Sequence, residues 1–223
     1  MATVRKVVFR NDQVYHIFNR GIERRNTFKN KIDYQRALDL IKFYQHQEIP
    51  IRYSQIIRQP ENIRNQILDK VYKSDKIVDI LAFCLMPNHF HFLLKQKSEK
   101  GITNFISNFA NAYTKYFNTK NKRDGPLFQG TFKAVLVETD EQLIHLSRYI
   151  HLNPVVSSLI EESSLNFYNW SSYPEYLDLS EIEITEKFLI LNMFQSKKEY
   201  QGFITDQIEY GKKLELIKHL TLE

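Results

Sequence analysis

The chain has 223 residues, 43% of them hydrophobic, which is enough to bury a full core and fits one domain with at most an appendage. Its formal charge of +5 is compatible with a polyanionic partner but does not require one, and a lone Cys84 excludes an internal disulfide and any cysteine-built zinc site. No stretch approaches the ~18 apolar residues of a membrane span, and Met1 to Arg10 lacks the apolar segment of a secretion signal, so a soluble, unprocessed, cytoplasmic protein is expected.

Val14 to Asn19 is β-branched and aromatic, the pattern of a first strand, and it stops at the turn signal Arg20-Gly21. His16 falls on the face opposite Tyr15 and Ile17, where a single strand histidine reads as structural rather than as a ligand. Asp33 to Gln45 places Tyr34, Ala37, Leu38, Ile41 and Tyr44 at helical spacing. Residues 52–76 read as an insertion in which Pro60 opens a short helix carrying Ile63, Ile67, Leu68 and Val71. Its Arg52, Arg58, Arg64, Lys70 and Lys73 fit a solvated surface better than a nucleic-acid flap.

Ile77 to Met86 is nearly continuous apolar sequence, as in a central strand, and Pro87-Asn88 turns the chain into His89-Phe90-His91-Phe92-Leu93-Leu94. Alternation in a strand puts His89 and His91 on one face, about 6 to 7 Å apart, and sends Phe90, Phe92 and Leu94 into a core. Taken alone, the pair is open between a metal clasp and a hydrogen-bonded structural pair. Gly101 to Asn121 has the cleanest helical stripe in the chain, and Phe132 to Glu138 a fourth strand. Asp140 caps a further helix that Pro154 is expected to end at Leu152. On that helix His145, Tyr149 and Asn153 share one strip, beside an apolar strip of Leu143, Leu146 and Ile150. The order strand, helix, strand, strand, helix, strand, helix implies an α+β, ferredoxin-like (split βαβ) fold, with helices on one sheet face and the Tyr149 helix after the last strand. Asn169 to Pro174 reads as an aromatic-anchored loop, and 186–194 and 197–213 as tail helices.

Four segments in this order, Tyr15 to Gly21, Leu85 to Leu94, Gly125 to Phe132 and Arg148 to Val155, resemble the single-tyrosine transposases of the HUH superfamily, in particular the branch that includes the REP-associated tyrosine transposases. The resemblance spans residues 14 to 175; it implies a catalytic domain over 1–175 and leaves 176–223 as a helical extension. It implies that His89 and His91 bind a divalent metal, magnesium or manganese, that Asn153 completes the metal site, and that Tyr149 is the nucleophile. One position departs from the branch: Thr131 stands where arginine is preferred, and Lys133 on the same strand face is the substitute cation. Arg20, Arg123, Lys133 and Arg148 are the candidate phosphate contacts.

The implied activity is a metal-dependent endonuclease and strand transferase on single-stranded, hairpin-bearing DNA, forming a 5′-phosphotyrosine in DNA transposition or repeat processing, with a nucleoid-associated location and a homodimer among its options. Two other readings compete. A histidine-based nucleotidyl hydrolase usually needs a third alternating histidine, where the chain has Leu93. A non-catalytic ferredoxin-like module that binds nucleic acid on its sheet predicts exposed aromatics on the central strands. Tyr113 and Tyr116 are rival nucleophiles by residue type, but both lie on the apolar stripe of their helix. His145 and His151 are near enough to Tyr149 in sequence to shuttle a proton, but they read as residues behind the site or on the surface.

Overall fold

The computed structural model describes residues 7–206 and residue 208. The distal part of the predicted tail helix over 197–213 lies outside them. Strand β1 (Val14–Arg20), helix α1 (Lys31–Tyr44), the insertion helices α2 (Tyr53–Ile56) and α3 (Glu61–Lys73), strands β2 (Val78–Met86) and β3 (His89–Gln96), helix α4 (Gly101–Asn121), strand β4 (Lys133–Val137) and helix α5 (Asp140–Val156) follow in order. The short helices α6 (Tyr173–Tyr176), α7 (Phe188–Leu191) and α8 (Lys197–Thr205) complete the described chain. The four strands form one antiparallel sheet in the order β2-β3-β1-β4, the split βαβ arrangement.

Each sheet face has its own core. Tyr15, Ile17, Ile80, Phe83, Leu85, Phe90, Phe92 and Leu94 pack with the apolar sides of α1 and α4. Phe105 and Phe109 of α4 meet Phe92 edge-on at ring separations of 5.6 Å, the geometry aromatic quadrupoles prefer. On the other face Leu81, Ala82, Cys84, Met86 and Leu93 pack with Leu143, Ile150, Leu152 and Val155 of α5, and with Tyr173, Tyr176, Ile190 and Tyr200 farther on. A bulge between Ile80 and Ala82 is what allows β2 to serve both cores. Inserting one residue shifts the alternation, so Val78 and Ile80 face α1 and α4 together with Phe83 and Leu85, while Leu81 and Ala82 both join the opposite cluster.

The helix starts follow from local chemistry. Asn30 caps α1 by accepting from Asp33 N at 3.1 Å, and Thr139 caps α5 by accepting from Gln142 N at 3.1 Å, one residue before the expected Asp140. Helix α5 also runs past Pro154 to Val156. The ring removes only the N–H that would have reached Ile150 O, and this happens in the last turn, where burial of Leu152 and Val155 offsets the strain. Gly21 is required by space rather than by dihedral angle: a Cβ there would lie 2.4 Å from Arg25 O. Helix α3 packs Val71 and the partly buried Ile67, Leu68 and Tyr72 on the α1 side, opposite the sheet face of His89 and His91.

The outer edge of β2 is covered by the chain's own later segment. Leu85 N donates to Trp170 O at 2.8 Å, Ser172 N to Phe83 O at 3.0 Å and Glu186 N to Ile80 O at 2.8 Å. Trp170, part of the expected aromatic-anchored loop, stacks on Tyr34 of α1 at 4.7 Å. No described helix is long and apolar enough to cross a membrane.

Asp33, only 1% exposed, joins α1 to α4: its Oδ1 accepts from Lys120 Nζ at 2.6 Å and from Tyr116 OH at 2.8 Å, and its Oδ2 from Lys29 N at 3.1 Å. Burial opposes the charge, but these donors together hold the carboxyl below its ordinary 3.8. A carboxyl lowered in the folded state contributes stability above its unfolded pKa and loses it as pH falls through the folded value. Asp33→Asn should therefore cost about 1–3 kcal/mol near neutrality, and the difference from wild type should shrink as pH falls from about 6 to about 3, as read by urea denaturation at each pH.

Candidate active site

The site is built on the sheet face turned towards α5. In the antiparallel register Phe18 pairs with His91 and Arg20 with His89, so that His16, Phe18, Arg20, His89 and His91 all project to this side. Lys133, paired with Phe18 from β4, carries its Nζ to 5.9 Å from the Phe18 ring centre. Helix α5 then lays Tyr149 against the histidines. Its ring centre is 5.4 Å from that of His91 and 6.1 Å from that of His16, edge-on in both cases. This juxtaposition is formed within one chain. Tyr149 is 38% exposed, whereas His91 is 6% exposed, so the tyrosine closes one side of the floor and still faces solvent.

The two motif histidines are each oriented through Nδ1. His89 Nδ1 lies 2.6 Å from Asn88 Oδ1, and the same amide donates from Nδ2 to Arg24 O at 3.2 Å. His91 Nδ1 lies 3.0 Å from His16 Nε2. Burial pushes His16 down to about 4, so it is neutral at physiological pH. With both Nδ1 atoms engaged, Nε2 of His89 and of His91 is the nitrogen each would offer a divalent ion. Asn153 sits one helical turn beyond Tyr149 and is 8% exposed. Among the described residues no cluster of three or more His, Cys, Asp or Glu side chains is arranged to hold a metal. The donor set at hand is two imidazoles with an amide on the adjacent helix, which suits an ion that keeps open positions for water or substrate oxygen.

The family model of IS200-like transposases matches residues 10–153, the span that contains all four strands, both motif histidines, Tyr149 and Asn153. The chain belongs to the IS200-like transposase family. Among solved structures it is similar to a REP-associated tyrosine transposase bound to a REP hairpin, with a TM-score of 0.52 and 13% identity over 83% of this chain and 94% of that one. A Deinococcus radiodurans R1 protein provisionally assigned as a transposase aligns at a TM-score of 0.37 and 14% identity, over 67% of this chain and 95% of that one. Among curated proteins no chain matches.

The candidate phosphate contacts of this IS200-like transposase divide into two groups. Arg20 and Lys133 are exposed at the site; Arg20 Nε donates to Gln129 Oε1 at 2.6 Å, which ties the Leu127–Gln129 loop beside His89. Arg123 and Arg148 are occupied elsewhere. Arg123 donates to Asn118 Oδ1 at 2.5 Å and to Pro126 O at 3.0 Å, pinning the loop after α4. Arg148 donates to Phe203 O at 3.2 Å and lies 4.2 Å from the Phe203 ring centre, holding α8 to α5. Thr131 is exposed and uncharged, and Lys133, whose Nζ lies 5.9 Å from the Phe18 ring centre, is the cation on that segment.

The rival residues are committed to packing. Tyr113 is fully buried and donates to Thr27 O at 2.7 Å, with its hydroxyl pushed far up by burial. Tyr116 donates to Asp33. Phe90 and Phe92 are fully buried, so neither offers a base-stacking surface, and Leu93 is fully buried where a third histidine would stand. His145 is exposed and lies beside Arg148, at 2.6 Å from its guanidinium. His151 is no proton shuttle but a core residue: it is fully buried, neutral because burial pushes it down to about 3, and bonded at both nitrogens, to Ser172 Oγ at 2.7 Å and Tyr200 OH at 2.9 Å.

His16, which by its lone place in a strand reads as structural rather than as a ligand, stands at the site as the hydrogen-bond partner of His91. Its parity away from Tyr15 and Ile17 was the available signal, but only the β1–β3 register makes it a diagonal neighbour of His91. The His151 network yields a direct expectation. Tyr200→Phe strips His151 Nδ1 of its partner in a dry site and should cost about 1–3 kcal/mol, measured as a lower urea midpoint with unchanged slope.

Proposed function

We propose that this protein is a single-strand DNA endonuclease and strand transferase that uses Tyr149 as nucleophile, acting on hairpin-bearing DNA such as the repeat hairpin bound by its structural relative. The observation that carries the reading is the edge-on contact of Tyr149 with His91 within the same chain. It puts a solvent-accessible hydroxyl-bearing side chain beside the only alternating histidine pair in the sequence.

In this reading the Tyr149 hydroxyl attacks a backbone phosphorus while the bond to the 3′-oxygen breaks. The products are a 5′-phosphotyrosine and a free 3′-hydroxyl; the phenolic proton passes to water at the open side of the site, and the departing oxygen takes one up there. A second 3′-hydroxyl attacking the adduct reverses the step and restores a phosphodiester, so bond energy is conserved. Free tyrosine, with a pKa near ~10, is mostly protonated and a weak nucleophile at neutrality, so orientation and charge neutralisation have to supply the acceleration. Lys133 and Arg20 would hold non-bridging phosphate oxygens from the β4 and β1 sides of the sheet. His89, His91 and Asn153 would hold a magnesium or manganese ion, which when bound supplies charge neutralisation at the phosphate. Homodimerisation is compatible with this scheme but not needed by it, because Tyr149 meets the histidines of its own chain.

The test uses a 5′- and 3′-labelled single-stranded hairpin oligonucleotide with magnesium or manganese, resolved on a denaturing protein gel. Wild type, Tyr113→Phe and Tyr116→Phe should form a covalent adduct, and Tyr149→Phe should lower it by about 10³-fold or more. An adduct that persists in Tyr149→Phe and vanishes in Tyr113→Phe or Tyr116→Phe overturns the assignment.

A further inference from the structure

We propose that His16 is a positioning residue for His91: it accepts a hydrogen bond at Nε2 from His91 Nδ1–H and so holds the tautomer that presents His91 Nε2 to a divalent ion. The inference rests on the metal reading given above and assigns a role to a residue outside the family's histidine pair.

The two histidines of the pair are oriented by different means. Asn88 holds its amide by donating Nδ2 to Arg24 O, which leaves Oδ1, a pure acceptor, 2.6 Å from His89 Nδ1. His89 must then carry its proton on Nδ1, and its Nε2 keeps the lone pair. At His91 the partner is another imidazole, with Nδ1 and Nε2 3.0 Å apart, and an imidazole nitrogen either donates or accepts. Two coupled arrangements satisfy this bond. In one, His16 donates and His91 bears its proton on Nε2, closed to a cation. In the other, His91 donates and Nε2 is a ligand. Only the second is compatible with a cation at Nε2, and in it His16 supplies the acceptor that keeps the proton on His91 Nδ1. The rings are near-parallel at 18°, with centres 5.2 Å apart, and His16 is 8% and His91 6% exposed, so water competes poorly for the bond. Tyr149 lies edge-on to both rings, so the same pair also seats the aromatic ring of the proposed nucleophile.

Two measurements test this without activity. Manganese titration by calorimetry should show His16→Phe binding about 10- to 100-fold more weakly than wild type, with recovery in His16→Gln, whose side-chain oxygen restores an acceptor. Long-range proton–nitrogen NMR of the histidines in magnesium-loaded wild type should show His91 protonated at Nδ1. Wild-type manganese affinity in folded His16→Phe, or an Nε2-protonated His91 in the loaded protein, overturns the positioning role. His91→Ala separates the two levels: it should abolish binding, and if it binds as wild type does, the metal reading fails and takes this inference with it.

Discussion

The pairing of β1 with β3 is the constraint from which the site follows. Strand side chains alternate with a period of two, so the register that sets Ile17 against Phe92 in the buried core also sets Phe18 against His91 and Arg20 against His89 on the other face. A slip of one residue in β1 would drive Tyr15 and Ile17 out of the core and turn His16, Phe18 and Arg20 into it, away from His89 and His91. The apolar side of β1 and β3 therefore acts as a positional lock on the polar side. The aromatic packing of Phe90 and Phe92 on Phe105 and Phe109 is part of what keeps the histidines, His16 and Arg20 aligned.

The second component is a helix that has to be held at a fixed depth over that face. Helix α5 uses Leu143, Ile150, Leu152 and Val155 for adhesion, which fixes its face but not its axial position. Directional bonds supply the rest. His151 links α5 to Ser172, which both donates to and receives from the Phe83 backbone, and to Tyr200 of α8, which also reaches Ser147. The segment after Val156 is thus bonded to α5 on one side and to β2 on the other, and Tyr149 stands two residues before the histidine at the centre of that network.

Much of this was legible in the sequence. The alternation in His89 to Leu94 gave the correct faces for both histidines and both phenylalanines, and the stripe from Ile102 to Phe117 marked α4 with its bounds, because strand and helix periods are local properties. The nearness of Tyr149 to the histidines came from resemblance, since no periodicity links residues so far apart. What escaped the reading depended on pairing between distant segments. His16 gains its partner from register, β2 reaches both cores through one bulged residue, and Trp170 to Ser172 pair with an edge strand despite a loop-like composition. Pro154 misled in the opposite way: a rule about local backbone strain yielded to burial in the final turn of α5.

The coverage of β2 by Trp170 to Ser172 also bears on assembly. A sheet grows by offering unpaired backbone groups at its edges, and here one edge is already used by the chain itself. At the other edge β4 pairs only with β1 among the described residues, and it exposes Val135 at 52% and Leu136 at 36%. Two copies joined through β4 would each consume their single available edge, so strand addition terminates at a closed pair, whereas a sheet with two open edges can propagate into a fibre.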